Sequence, residues 1–322
     1  MGFLYSQLFV KPKYPSESFK GQTVIVTGSN TGLGKEAARH FARLGVSKLI
    51  LAVRNTSAGE NARREIEETT HCGPGVIEVW KLDLASYESV QTFATRAAKD
   101  LARIDVLLEN AGIAVSKFAL AEGHERTVTV NVISTFLLAL LLLPKLEATA
   151  RDYNTHPRLT IVSSEVHGHS KFPEWKAANS FVTLSDQKTA NMGERYPTSK
   201  LLEVLVCRAI APKIAERGTG VVLNYLNPGL CHSELSRDGP FIISILKFFL
   251  ARSTEVGSRT LMAAAEAGPE SHGKYMTDGL PNDGALSAFV RSEDGNKASK
   301  KIWNELADIL EKIHPGVTNP VK

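Results

Sequence analysis

Short apolar runs alternate along the chain with stretches in which apolar residues recur every three or four positions. The runs are Val24-Ile25-Val26, Leu49-Ile50-Leu51-Ala52-Val53, Val76 to Leu82, Ile104 to Leu108, Leu159 to Val162 and Val221 to Leu226. Each is brief and nearly continuous, the pattern of strands buried on both faces. The spacing between them predicts helices over about 33–44, 57–69, 86–101, 123–146 and 195–216. A final short strand is expected at Gly273-Lys274-Tyr275-Met276 and a last helix near 295–313. This alternation predicts an α/β fold. It has one doubly wound parallel sheet of about seven strands, helices on both faces and right-handed crossovers. Ligands of such sheets sit beyond the C-terminal strand ends. Gly28, Arg54, Asp83, Asn110, Ser164 and Asn227 all fall at or just after those ends.

No repeat, low-complexity tract or linker divides the chain. Residues 1–20, with Pro12 and Pro15, read as an N-terminal arm, and 21–322 as a single domain. Two insertions stand out, one of 31 residues between Ser164 and Tyr196 (about 165–195) and one over about 233–252. Insertions of this length are often functional. Val132 to Leu143 and Phe241 to Leu250 are too short for the roughly 20 residues of a membrane span, so no transmembrane span is expected. A net charge of +4 without a dense basic tract gives no case for nucleic acid. Cys72, Cys207 and Cys231 are scattered and odd in number. They fit a reducing, cytoplasmic compartment and no disulfide framework. His167, His169 and His232 lack a third ligand at metal spacing and read as loop residues, so no metal is expected. Met1-Gly2-Phe3-Leu4-Tyr5-Ser6 matches the loose myristoylation pattern, which leaves peripheral membrane association open. The same residues also read as a frayed apolar end, the reading that the looseness of the pattern favours.

The chemistry begins at Thr27-Gly28-Ser29-Asn30-Thr31-Gly32-Leu33-Gly34, between the first strand and the first helix. Glycine allows a tight turn and a close approach of phosphate, and the helix beyond offers unpaired N–H groups. Gly28 and Gly34 enclose five residues and Lys35 is followed by Glu36, so this is not a P-loop, and GxGxxG is also absent. Far downstream, Tyr196 and Lys200 are four apart and share one helix face. An ammonium near a phenol favours the phenolate and would make Tyr196 a usable general acid or base. Ser164 could donate to a substrate oxygen and share its developing charge.

The Thr-Gly-x3-Gly-x-Gly turn, Asn131 in Val130-Asn131-Val132, Ser164 after Ile161-Val162-Ser163, and Tyr196-Pro197-Thr198-Ser199-Lys200 occur in one order. In this the chain resembles the classical short-chain dehydrogenase/reductases over about residues 20 to 280. Gly32-Leu33-Gly34-Lys35-Glu36 and the long Ser-to-Tyr segment look most like the retinol dehydrogenase-like and fungal secondary-metabolism reductases. The resemblance implies a Rossmann-type sheet and a catalytic set of Asn131, Ser164, Tyr196 and Lys200. It makes Asn131 the holder of a water beside Lys200, and Lys200 a donor to the nicotinamide ribose. It places the cofactor on Gly28, Asn30, Thr31, Gly32, Leu33, Gly34 and Lys35, and on Asp83 and Leu84 at the adenine. Asn110-Ala111-Gly112, Pro228, Gly229 and Ser233 complete that set, together with Tyr196 and Lys200. Glu109 stands where the family has an Asn, which leaves Glu109 without an assigned role and the turn's hydrogen bonds open.

No acidic residue closes the second strand to receive a ribose 2′-OH. Arg54 follows it, and its forked donors suit the 2′-phosphate of NADP(H), with Lys35 as a second cation. Arg54 could otherwise be a solvated strand-end charge. The expected function is an NADP(H)-dependent oxidoreductase interconverting a carbonyl and an alcohol, reduction favoured. Its partner is a small-molecule, apolar and fairly large substrate, an expectation drawn from Phe172, Trp175 and the apolar residues of 241–249. In the resembling family the 233–252 insertion is the substrate lid. A silent NADP-binding sensor or scaffold, and an epimerase or dehydratase on the same fold, stay open. The long apolar face over 123–146 permits a homodimer, and equally burial within a monomer.

Overall fold

The computed structural model describes residues 3–232 and 251–322. The chain begins with a short helix α1 (Phe3–Phe9) and then alternates. The first half comprises β1 (Thr23–Thr27), α2 (Gly32–Arg43), β2 (Lys48–Val53), α3 (Thr56–Thr70), β3 (Ile77–Lys81), α4 (Tyr87–Asp100) and β4 (Val106–Glu109). A two-residue hairpin, β5 (Leu120–Ala121) and β6 (His124–Glu125), leads into α5 (Arg126–Val128), a π-helical stretch (Thr129–Ser134) and α6 (Thr135–Tyr153). Then follow β7 (Arg158–Val162), α7 (Ser180–Leu184), α8 (Met192–Glu216), β8 (Val222–Asn227), α9 (Thr254–Glu266), β9 (Tyr275–Thr277), β10 (Leu280–Pro281), α10 (Ala288–Arg291) and α11 (Glu293–Ile313).

One sheet has the order β10-β9-β8-β7-β4-β1-β2-β3. Every pairing in it is parallel except β9 with β10. The expected Rossmann-type sheet is therefore present, with β10 as one short antiparallel strand more. Alternate strand residues feed two cores, as a two-residue period requires. Val24, Val26, Leu49, Leu51, Val106 and Leu108 pack with Phe41 of α2 and Leu261 and Met262 of α9. Ile25, Ile50, Leu107, Ile161 and Tyr225 face the other way, toward α4, α6, α8 and α11. The strands are readable as unbroken apolar runs because both of their faces are covered.

Three expectations change. The N-terminal arm is not frayed throughout, since α1 is part of the fold. The 165–195 insertion is packed rather than open: Phe172, Phe181 and Leu184 are in the core, and the Ser180 amide donates to Glu305 Oε2 of α11 at 2.9 Å. Phe172 is thus core, and Trp175 packs against Phe289 with ring centroids 6.0 Å apart, so neither supports an apolar substrate. The apolar run at Val132 belongs to a continuous helix, Arg126–Tyr153, of 28 residues, whose 18-residue apolar window has mean hydropathy 2.0. By length and composition that helix could cross a membrane, but 89% of its apolar window is buried inside this fold. Burial within the chain therefore accounts for its apolar faces.

The start of this helix is bound to the start of α8. Glu125 Oε1 accepts from the Thr127 amide at 3.0 Å and Oε2 from the Val128 amide at 3.2 Å, capping α5. Oε2 also lies 3.5 Å from Arg195 Nε, and both side chains are buried. Removing one partner of a buried pair strands the other charge. Glu125→Ala should therefore destabilise the protein by about 3–5 kcal/mol. Urea unfolding should show this as a lower midpoint with an unchanged m-value.

Candidate active site

The residues singled out by sequence gather along the C-terminal edge of the sheet, around the gap between β1 and β4 where the strand order reverses. Gly28 has φ +65° and Gly32 φ +59°, a region costly for side chains. A Cβ on Gly34 would lie 2.5 Å from Asn110 Nδ2 and 2.7 Å from the Gly28 carbonyl oxygen. Only glycine permits this contact between the two turns. Asn110 Nδ2 donates to the Thr27 carbonyl at 2.9 Å, and the Asn110 and Ala111 amides both donate to Thr27 Oγ1 at 2.9 Å. The turn is therefore well bonded despite Glu109.

Thr31 precedes α2 in extended conformation, and its hydroxyl does not cap the helix. The first amides of α2 keep their donors and the positive end of the helix dipole, which suits a pyrophosphate. A cleft of about 500 Å³ opens beside it, lined by Asn30, Thr31, Arg54, Asn55, Ala58, Asn61, Ala62 and Glu65. It joins the glycine turn to Arg54, so these residues fit the adenosine end of a dinucleotide. Asn61 and Glu65 of α3 were not foreseen. Lys35 pairs with Glu65, which it holds below the usual carboxylate range. Lys35 is thus engaged rather than a free second cation. Asp83 Oδ1 accepts from the Ala85 amide at 3.0 Å and shapes the turn into α4. Leu84 is buried beside it. Leu33 lies close to Gly257 of α9.

Asn131 lies in the π-helical stretch, a departure from regular helix that often marks functional sites. Its Nδ2 donates to the Ile113 carbonyl at 3.0 Å and to Ser199 Oγ at 2.9 Å, while its Oδ1 accepts from the Ile113 amide at 2.8 Å. It clamps the loop after β4, with Gly112, to α8. Its amide hydrogens are spent, so any part in holding a water falls to its Oδ1. On α8, Lys200 Nζ lies 5.7 Å from the centre of the Tyr196 ring. It donates to the Val162 carbonyl at 2.9 Å and to Glu203 Oε1 at 2.8 Å. Ser164 follows β7, and its hydroxyl accepts from the Val166 amide at 3.3 Å and favours the Tyr196 phenolate. Burial nevertheless outweighs the ammonium and holds the Tyr196 phenol above its ordinary value, with Glu203 adding to the rise. The pull of Lys200 itself is in the expected direction, toward the phenolate.

His167 fixes the Ser164 turn. Its Nδ1 lies 2.8 Å from the Ser164 carbonyl and its Nε2 accepts from the Ser287 amide at 3.1 Å, so Nδ1 carries the proton. Burial lowers its basicity, consistent with a neutral structural histidine.

At the end of β8, Pro228 and Gly229 (φ +79°) lie under α1. A Cβ on Gly229 would come within 3.0 Å of both Arg252 Nη1 and Gln7 Oε1. Gln7 also donates to the Leu230 carbonyl at 2.7 Å. Arg252 Nη2 reaches the Ser6 carbonyl at 2.8 Å, the Val10 carbonyl at 3.0 Å and Asp278 Oδ1 at 2.7 Å. Sequence reasoning missed this clasp. Cys231 pairs with Arg252 as an isolated bridge, so the two ends of the 233–252 insertion are joined. Ser233 and the proposed lid residues, Phe248 and Phe249 among them, lie outside the described residues.

A family model described as short chain dehydrogenase matches residues 22–176. A short chain dehydrogenase/reductase of Cryptosporiopsis sp. (strain 8999) is 52% identical over 99% of this chain and 99% of its own. The chain belongs to the short-chain dehydrogenase/reductase family. It is accordingly an oxidoreductase of the class that acts on carbonyl and alcohol groups. A short-chain dehydrogenase of Penicillium roqueforti is 49% identical, covering 98% of this dehydrogenase/reductase and 84% of its own chain. Among solved structures, a 3-ketoacyl-(acyl-carrier-protein) reductase from Brucella melitensis complexed with NADH aligns with TM-score 0.61 at 20% identity, over 81% of this chain and 97% of that one. A Pseudomonas aeruginosa RhlG/NADP complex aligns with the same TM-score and identity, over 85% and 100%. These two likenesses speak for the fold.

Arg252→Ala should release α1 from the site rim. Hydrogen exchange of residues 3–9 should then rise markedly while that of β1 and β4 stays as in the unaltered protein. Unchanged protection of α1 would show that Arg252 does not hold it.

Proposed function

We propose that this dehydrogenase/reductase is an NADP(H)-dependent reductase of a carbonyl group, with Tyr196 as its proton donor. The observation that carries this reading is the grouping of Tyr196 with Lys200, whose Nζ lies 5.7 Å from its ring centre, beside Ser164 at the end of β7. The dinucleotide would rest on Gly28, Asn30, Thr31, Gly32 and Gly34, with Arg54 at its 2′-phosphate and Gly112, Pro228 and Gly229 toward the nicotinamide. When bound it supplies the hydride. Tyr196 gives its proton to the oxygen of the reduced carbonyl, and Ser164 donates a hydrogen bond to the same oxygen as charge grows there. Asn131 keeps α8 in register with the loop after β4. An apolar, fairly large substrate, of the retinoid, steroid, aromatic aldehyde or polyketide kind, is supported by the apolar residues of 241–249. A silent NADP sensor is disfavoured because Tyr196 and Lys200 are both retained.

Tyr196→Phe removes only a hydroxyl. In a screen of carbonyl compounds followed by NADPH consumption, it should lower turnover by about 10²–10⁴-fold with the fold intact. Near-normal turnover, with chemistry rate-limiting, would remove Tyr196 from its role. Arg54→Ala should weaken NADPH by about 10- to 150-fold, the worth of a charged hydrogen bond, and NADH little. Titrations showing equal losses for both coenzymes would overturn the choice of NADP(H).

A further inference from the structure

Helix α1 is turned inside out. Its polar side chains face the protein: Gln7 is 7% exposed and donates to the Leu230 carbonyl, and the Ser6 hydroxyl donates to Asp278 Oδ2 at 2.6 Å. Its apolar side chains face away. Tyr5, Leu8 and Phe9 are 53%, 53% and 74% exposed. They stand at i, i+3 and i+4 and so share one face, and the Tyr5 and Phe9 rings lie 5.5 Å apart. An amphipathic helix ordinarily turns its apolar stripe toward the core. Here hydrogen bonds hold that stripe outward. The arm that follows adds cations. Lys11, Lys13 and Tyr14 are exposed, while Pro12 and Pro15 are buried. Arg259 fixes this course by donating to the Pro12 carbonyl at 3.3 Å, and Arg43 by donating to the Pro15 carbonyl at 2.7 Å. Lys11 and Lys13 therefore project outward just beyond the apolar face. Residues 3–16 contain no acid, the first being Glu17, and these two lysines supply +2 of the chain's net +4.

We propose that α1 and the arm behind it form a docking surface for an anionic lipid bilayer. Leu8 and Phe9 enter the edge of the acyl region, Tyr5 with its polar tip sits at the headgroup level, and Lys11 and Lys13 meet the anionic headgroups. Two observations favour a bilayer over a protein. A second copy seated on this face about a two-fold axis would bring the lysines of one protomer toward those of the other, with no acid in the segment to pair them. Three apolar side chains are also few for a stable protein interface, which engages roughly 20–30 residues a side. Because Gly229 and Leu230 lie under α1, docking places that rim against the bilayer. An apolar substrate of the kind proposed above would then enter from the lipid. That consequence rests on the proposed function, and the docking itself does not.

The test is sedimentation of the unacylated full chain with lipid vesicles. Phosphatidylcholine vesicles containing phosphatidylserine should carry the protein down, and vesicles of phosphatidylcholine alone much less. Leu8→Ser with Phe9→Ser should weaken binding at least about tenfold, since both side chains lose apolar contact with lipid. Lys11→Gln with Lys13→Gln should weaken binding to the anionic vesicles by about 10- to 30-fold, roughly fivefold per lysine. High salt should act on the wild type as the lysine change does. Side chains this exposed should leave the urea midpoint unmoved when replaced. Absence of wild-type binding, or equal binding by Leu8→Ser with Phe9→Ser, overturns the inference. So does a lowered urea midpoint in that variant, which would mark the face as covered within the chain. So does a wild-type dimer that the same variant dissolves without lipid, which would make the occupant a second copy. The proposed function is decided separately, by NADPH titration and Tyr196→Phe turnover, whatever the vesicles show.

Discussion

Thr27 and Asn110 bind together the two strands between which the sheet reverses its order. The Thr27 hydroxyl accepts two backbone amides from the β4 turn, and Asn110 returns a hydrogen bond to the β1 turn. Neighbouring parallel strands leave a crevice at such a reversal. Without the stitch, the glycine turn and the loop carrying Gly112 would have no common frame. Asn131 extends that frame to α8 through Ile113 and Ser199. Hydrogen bonds, with the backbone from Ala111 to Ile113 between them, thus link the glycine turn to α8, where Ser199 Oγ donates to the Tyr196 carbonyl at 2.8 Å.

On this frame the chain places more charge than its core can solvate. Lys200 would be costly in isolation, as would Glu203, and their contact offsets much of the cost of each. Glu125 and Arg195 repeat the arrangement one residue before Tyr196. Helix α8 therefore takes part in two buried ion pairs, one on each side of Tyr196: Lys200 with Glu203 within the helix, and Arg195 with Glu125 at the start of α5. Buried pairs add little net stability, but they tolerate few alternative geometries. That fits the role proposed for α8, to present one phenol in one place.

The strands were legible because burial on both faces leaves uninterrupted apolar runs, as at Leu49 to Val53. Gly28, Asn110, Ser164, Tyr196 and Lys200 were legible because strand ends and a helical spacing of four are local properties. What escaped depends on partners distant in sequence. α1 reads as a loose apolar end until Arg252 and Asp278 are brought to it. Glu125 and Arg195 are ordinary charges until two helix starts converge. Phe172 looked like a substrate contact because composition cannot separate an aromatic lining a cleft from one filling a core. Glu203 did leave a signal, an acid three residues after Lys200, but nothing local shows that the pair is dry. Glu109 was noticed only as a missing Asn, and nothing local shows that its carboxyl is buried.

The fastening of α1 over Gly229 and Leu230 joins the first residues of the chain to the rim beside the proposed nicotinamide end. The arm is therefore no free-standing appendage. Two relatives could share every residue of the sheet and still differ in how the mouth of the site is shaped, simply through the first ten residues of each. Changes in this helix can then reshape that rim without disturbing a strand or the hydrophobic core.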